Sequence, residues 1–121
     1  MKVAVSAYGP TLDDPVDERF GRATYLVVVD TETFAAEPID NRANCNALQG
    51  AGPGTAEAVA RAGAAAVITG HLGPKAYDAL ALADIGGYRA AGGMQVREAV
   101  HAFAEGHLHP LSKDTSHAGL G

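Results

Sequence analysis

Apolar residues recur along this chain with two periods, one of two residues and one of three to four, and the switches between them divide it into elements. Residues 2–7 alternate, with β-branched Val3 and Val5 on one side, and predict a short strand. Tyr25-Leu-Val-Val-Val-Asp30 is apolar on both faces, the pattern of a central strand. Residues 33–39 follow a tight Asp30-Thr-Glu connection, so the second and third strands are expected to form a hairpin. Residues 40–53 show neither period and read as a polar, glycine-rich loop. A face of Ala56, Val59, Ala60 and Gly63 predicts a helix over 54–62. A strand is expected over 65–69. The next helix should start at Pro74, turn Tyr77, Leu80 and Ala81 inward and end near Asp84. Residues 86–90 predict a last short strand. Val96, Val100 and Phe103 predict a helix over 95–105, stopped by Gly106. Residues 107–121 are polar and unpatterned and are expected to be a mobile tail.

The order β-β-β-α-β-α-β-α describes a single α/β domain over residues 1–106, a mixed five-stranded sheet with flanking helices. The first three strands form a meander, so the second should run antiparallel to its neighbours. The later strands are joined by right-handed crossovers. The loops after strands one, three, four and five (8–17, 40–53, 70–73 and 91–94) then leave one sheet edge, where ligands bind in such folds. They hold most of the turn glycines, Cys45 and His71.

Composition narrows the function. Nine Lys+Arg against fourteen Asp+Glu give a net charge of −5, the wrong sign for a general nucleic-acid binder. A chain of 121 residues that is 47% hydrophobic has material for one modest core. Tryptophan is absent and small residues abound, so close helix packing and ordinary stability are expected. No apolar stretch approaches the ~20 residues of a membrane span. The opening residues read as a strand and not as a secretory signal, and the single Cys45 suits a reducing compartment, so a cytoplasmic location is expected.

The densest chemistry lies in Thr69-Gly-His-Leu-Gly-Pro-Lys75, where a buried strand turns directly into a helix. Gly70 and Gly73 let backbone approach a ligand, and Pro74 suits the first helical position. The unpaired N–H groups of that first turn then form a cradle for an anion. His71 adds a soft ligand atom and Lys75 a positive charge. Gly50-Ala-Gly-Pro-Gly54 offers a second such turn; it lacks the third glycine of a dinucleotide fingerprint and has no Walker lysine.

Three motifs in order, Arg19-Phe-Gly-Arg-Ala23, Gly50-Ala-Gly52 and Gly70-His-Leu-Gly-Pro-Lys-Ala76, make residues 1–106 resemble the dinitrogenase iron–molybdenum cofactor biosynthesis family. The resemblance implies a ribonuclease-H-like mixed sheet and a non-catalytic protein that binds, carries or stores metal–sulfur clusters. Within the family the chain is most similar to small, stand-alone acidic members from sulfate-reducing bacteria. For these the implied cargo is a molybdenum–copper sulfide cluster held non-covalently, and the implied partners are companion ATPases. The alternative cargo is an iron–molybdenum cofactor precursor or an iron–sulfur cluster, handed to cofactor-assembly proteins.

A metal–sulfide cluster is a bulky anion with soft sulfide faces. Holding it without covalent ligands takes backbone donors, cations and an apolar wall. Gly50, Gly52, Gly70 and Gly73 with their helix starts are candidates for the first, Arg19, Arg22 and Lys75 for the second, and Leu48, Leu72 and Met94 for the third. His71 and Cys45 are candidate metal ligands. Each has a plainer alternative: turn geometry for the glycines, a solvent-facing ring for His71 and a bystander thiol for Cys45. The arginines have carboxylates nearby in sequence, Asp13, Asp14, Asp17 and Glu18, which otherwise read as a solvated turn. His107, His109 and His117 suggest incidental metal capture by the tail. Two other function classes compete: an enzyme built on a Cys45–His71 pair or on nuclease carboxylates, for which orienting or clustered acids are missing, and a metal-free interaction module.

Overall fold

A computed structural model describes residues 1–47 and 50–113. Its strands are β1 (Lys2–Ala7), β2 (Tyr25–Asp30), β3 (Ala36–Asp40), β4 (Ala66–Thr69) and β5 (Gly86–Arg89). Its helices are α1 (Arg42–Cys45), α2 (Ala51–Arg61), α3 (Pro74–Leu82) and α4 (Val96–Ala104). The strands form one mixed sheet in the order β3-β2-β1-β4-β5. β2 runs antiparallel to β1 and to β3, and β1, β4 and β5 are parallel. The expected mixed five-stranded α/β architecture is therefore present. The ends of β1, β3, β4 and β5 share one edge.

Alternation along the strands builds two cores. Val3, Val5, Val27, Val29 and Ile68 face α4, which contributes Val96, Ala99 and Val100. Ala4, Leu26, Val28 and Val67 face the other way, against Ala56 and Val59 of α2 and Ala76 and Leu80 of α3. A one-residue slip of any strand would exchange these sets, so packing fixes the register. Among the described residues no helix is long and apolar enough to cross a membrane.

Several expectations need correction. The 33–39 strand begins later, at Ala36: Asp30 Oδ1 accepts the N–H groups of Glu32 and Thr33, and Phe34 takes a left-handed φ of 61°, so residues 31–35 form the turn. The 40–53 loop contains α1, a single turn too short to show periodicity; it starts where Asp40 Oδ1 accepts the Arg42 N–H at 3.0 Å. The helix expected over 54–62 starts at Ala51. Gly50 sits left-handed at φ 79° as its N-cap, and Gly52 and Pro53 occupy the first turn, where proline loses no helical bond.

The segment expected as a tail begins as a strap along β5. Arg89 N donates to His109 O at 2.9 Å and Leu111 N to Gly87 O at 2.8 Å, and Lys113 Nζ pairs with Asp78 at 3.0 Å. His117 lies outside the described residues.

Candidate functional site

The strap from residue 16 to residue 22 builds one wall of the site, and buried hydroxyls position it. Ser6 Oγ, at the end of β1, donates to the Asp17 carbonyl at 2.6 Å and stands 2.7 Å from the Thr69 hydroxyl at the end of β4. Asp17 N returns a bond to Ser6 O at 2.9 Å. Serine and threonine at strand ends, where an all-apolar strand was the simpler design, thus sew the strap to the sheet edge. Beyond this seam Arg19 pairs along the backbone with His71, setting the first and third motifs side by side.

Asp17 is only 1% exposed, and its carboxylate receives the Arg19 guanidinium in a fork, Nε at 3.0 Å and a terminal nitrogen at 2.9 Å. Hydrogen bonding to Asp17 first, then charge attraction, raises the Arg19 pKa above its usual value. The acidic run is thus not simply a solvated turn: Asp17 is inside, and burial without its partner would leave an uncompensated charge. Arg22 takes a different partner set. One of its nitrogens donates to the carbonyls of Cys45 at 2.9 Å and Ala47 at 2.7 Å, tying the strap to the end of α1. It makes no ion pair with a carboxylate among the described residues, and neither does Lys75.

Between the strap and the starts of α2 and α3 opens a pocket of about 580 Å³. Its lining comes from residues 19–22, 50–53, 71 and 73–76. Among the described residues it therefore carries Arg19, Arg22 and Lys75, one imidazole and no carboxylate. Phe20, Ala51, Pro53, Pro74 and Ala76 supply apolar wall. Both helices begin here without a side-chain cap, at Gly50 and at Gly73, so the positive ends of two helix dipoles open on the pocket. Close approach makes this possible. A Cβ on Gly21 would stand 2.8 Å from Gly52 N, and one on Gly52 would stand 3.0 Å from Ala76 Cβ.

Seven of the residues singled out from the sequence meet here: Arg19, Arg22, Gly50, Gly52, His71, Gly73 and Lys75. The rest are elsewhere. Gly70 does not line the pocket; it is the close-packing partner of Glu18, whose Cβ would lie 2.4 Å from a Cβ added at Gly70. Leu72 is 2% exposed and belongs to the α2/α3 core, because the turn after His71 drives it inward. Met94 packs on the α4 side of the sheet, away from the pocket. Cys45 ends α1 with its Sγ 3.6 Å from Arg42 O, and only its carbonyl is tied to the pocket wall, through Arg22. Leu48 lies outside the described residues.

Sequence reasoning missed Asn41. Its fully buried side chain donates to Ala23 O at 2.9 Å and accepts from Thr55 Oγ1 at 3.1 Å and Asn44 Nδ2 at 3.0 Å. It joins the strap's end, α1 and α2. Its only sequence signal was an asparagine directly after a strand.

The donor set suits an anion held by many weak contacts. Among the described residues, no group of three or more His, Cys, Asp or Glu is placed to hold a metal ion.

The family model described as dinitrogenase iron-molybdenum cofactor matches residues 1–106. Among solved structures, the apo form of the orange protein from Desulfovibrio gigas is 44% identical, with 93% of each chain covered and a TM-score of 0.89. A Thermotoga protein of the DUF35 family with a proposed NifB identity is 33% identical over 94% of this chain and 96% of its own, with a TM-score of 0.80. No curated protein matches significantly. These findings bear out the resemblance read from the three motifs.

Proposed function

The chain belongs to the dinitrogenase iron–molybdenum cofactor family, and from that premise we propose that it is a non-catalytic carrier of a molybdenum–copper sulfide cluster, held without covalent bonds in the strap pocket. A cofactor-binding or carrier role follows from the family and from the likeness to the orange protein. The observation that carries the finer reading is electrostatic. A protein of net charge −5 gathers three cationic side chains and two uncapped helix starts around one pocket, with no carboxylate among the described residues that line it.

The chemistry of the wall supports a sulfide-faced anion over a hydrated oxyanion. Polarisable sulfides lie comfortably against Phe20, Pro53, Pro74 and alanine methyl groups, whereas a small oxyanion would lose water there without a hydrogen bond for each oxygen. Arg22 and Lys75 supply attraction. Arg19 is already matched by Asp17, so it shapes the wall and contributes little net charge. An iron–molybdenum cofactor precursor has the same soft, anionic surface and is the second reading, favoured by the family's description. Delivery to companion ATPases or cofactor-assembly proteins completes the carrier role.

The test is anaerobic incubation of the full chain with tetrathiomolybdate and Cu(I), followed by desalting, a visible spectrum and metal analysis. Stoichiometric molybdenum and copper with a charge-transfer colour are expected. Lys75→Met should weaken retention about tenfold, the effect of ~1.4 kcal/mol, and breaks no ion pair among the described residues. A colourless, molybdenum-free protein would refute the cluster reading. Arg19→Ala is a poorer probe, since it strands the buried Asp17 carboxylate.

A further inference from the structure

The two glycines of Gly70-His-Leu-Gly73 have different reasons to be glycine. Gly70 has no room for a side chain, with Glu18 Cα 2.8 Å from where a Cβ would stand. At Gly73 an added Cβ would meet no atom beyond its chain neighbours within 4 Å. Among the described glycines, Gly50, Gly63, Gly93 and Gly106 need a positive φ, and most others meet a neighbour at 3.0 Å or less. Gly86 makes ordinary contacts starting at 3.5 Å. Among the described glycines Gly73 alone combines a φ of −67° and ψ of 165°, open to any residue and natural before proline, with no atom beyond its chain neighbours within 4 Å of a Cβ. It is also the N-cap of α3, a place where serine or aspartate would give the first-turn N–H groups an acceptor and add stability. Neither backbone nor packing accounts for glycine at a position that lines the pocket.

We propose that Gly73 is a cargo-contact residue: the bound anion occupies the volume that a side chain here would take, resting on bare backbone beside Lys75 and His71. This rests on the carrier reading above. A side chain at 73 fills the seat, and a serine would in addition satisfy from within the protein the N–H groups left for the cargo.

The test compares full-length wild type, Gly73→Ala and Gly73→Ser in the tetrathiomolybdate and Cu(I) reconstitution, with affinity read by chelator competition and folding by thermal melts. Both variants should melt within a few degrees of wild type, Ser the higher of the two, and both should bind about tenfold or more weakly. Wild-type-like affinity in Gly73→Ser overturns the proposal. So does a large loss of Tm in both variants, which would make Gly73 a folding requirement. If wild type itself retains no molybdenum, the carrier reading fails and this contact fails with it, a result distinct from a failure seen only in the variants.

Discussion

Gly21→Ala tests how the pocket is built. A methyl group there would stand 2.8 Å from Gly52 N, 3.0 Å from Ala51 C and 3.0 Å from Gly52 Cα, all backbone atoms. Ordinary contacts of carbon lie near ~3.5–4.0 Å, so the strap and the first turn of α2 must part by roughly 0.5 Å or more. The turn cannot simply retreat. On its other side Ala76 of α3 stands within 3.0 Å of a Cβ on Gly52, and both helices are anchored by the core below. Overpacking of this kind costs about 1–3 kcal/mol, which for a domain of this size lowers Tm by about 4–12 °C. Thermal melts and urea midpoints give the number, and Gly73→Ala serves as a matched control, the same added methyl facing open space. Metal retention in Gly21→Ala should also fall, because the wall carrying Arg19 and Arg22 moves with the strap. A Gly21→Ala protein with the Tm of Gly73→Ala and wild-type retention would refute the idea that close backbone approach holds these segments together.

Two further predictions concern the frame around the pocket. Asn41→Ala leaves the buried Ala23 carbonyl and the Thr55 hydroxyl without their partner, and should cost about 2–3 kcal/mol in urea unfolding. Full stability in that variant would mean that water replaces the side chain. The second concerns acid: Arg42 hydrogen bonds hold the Asp40 carboxyl down at about 2, against an ordinary 3.8. The unfolded chain therefore takes up its proton first as pH falls below about 4, so this pair's contribution is present at neutral pH, declines through that window and is gone below about pH 2. The urea midpoint of Asp40→Asn should accordingly be less acid-sensitive than wild type between pH 4 and 2, and parallel curves would dismiss the pair.

Much of this protein is written in its sequence. The bounds of β1 and β2 follow from alternation and from an uninterrupted apolar run, because a strand's faces are set by a period of two and both cores need them. The mixed order of strands follows from one tight connection among crossovers, and the three glycine-bearing motifs reveal the family. Local signals failed where the decisive contact was remote. Pro53 and Gly52 read as loop residues because their place in a first helical turn depends on where α2 docks. Residues 109–111 have no strand pattern; they pair because β5 leaves an open edge beside them. In the site, the sequence names the cations and glycines but not their duties. Only the folded chain separates Arg19, neutralised by a buried aspartate, from Arg22 and Lys75, which make no carboxylate pair among the described residues. Only it sends Leu72 into the core and gives Gly70 to packing while leaving Gly73 open. Residue type limits what each group can do, and the neighbours that tertiary structure brings from far along the chain decide which of those things it does.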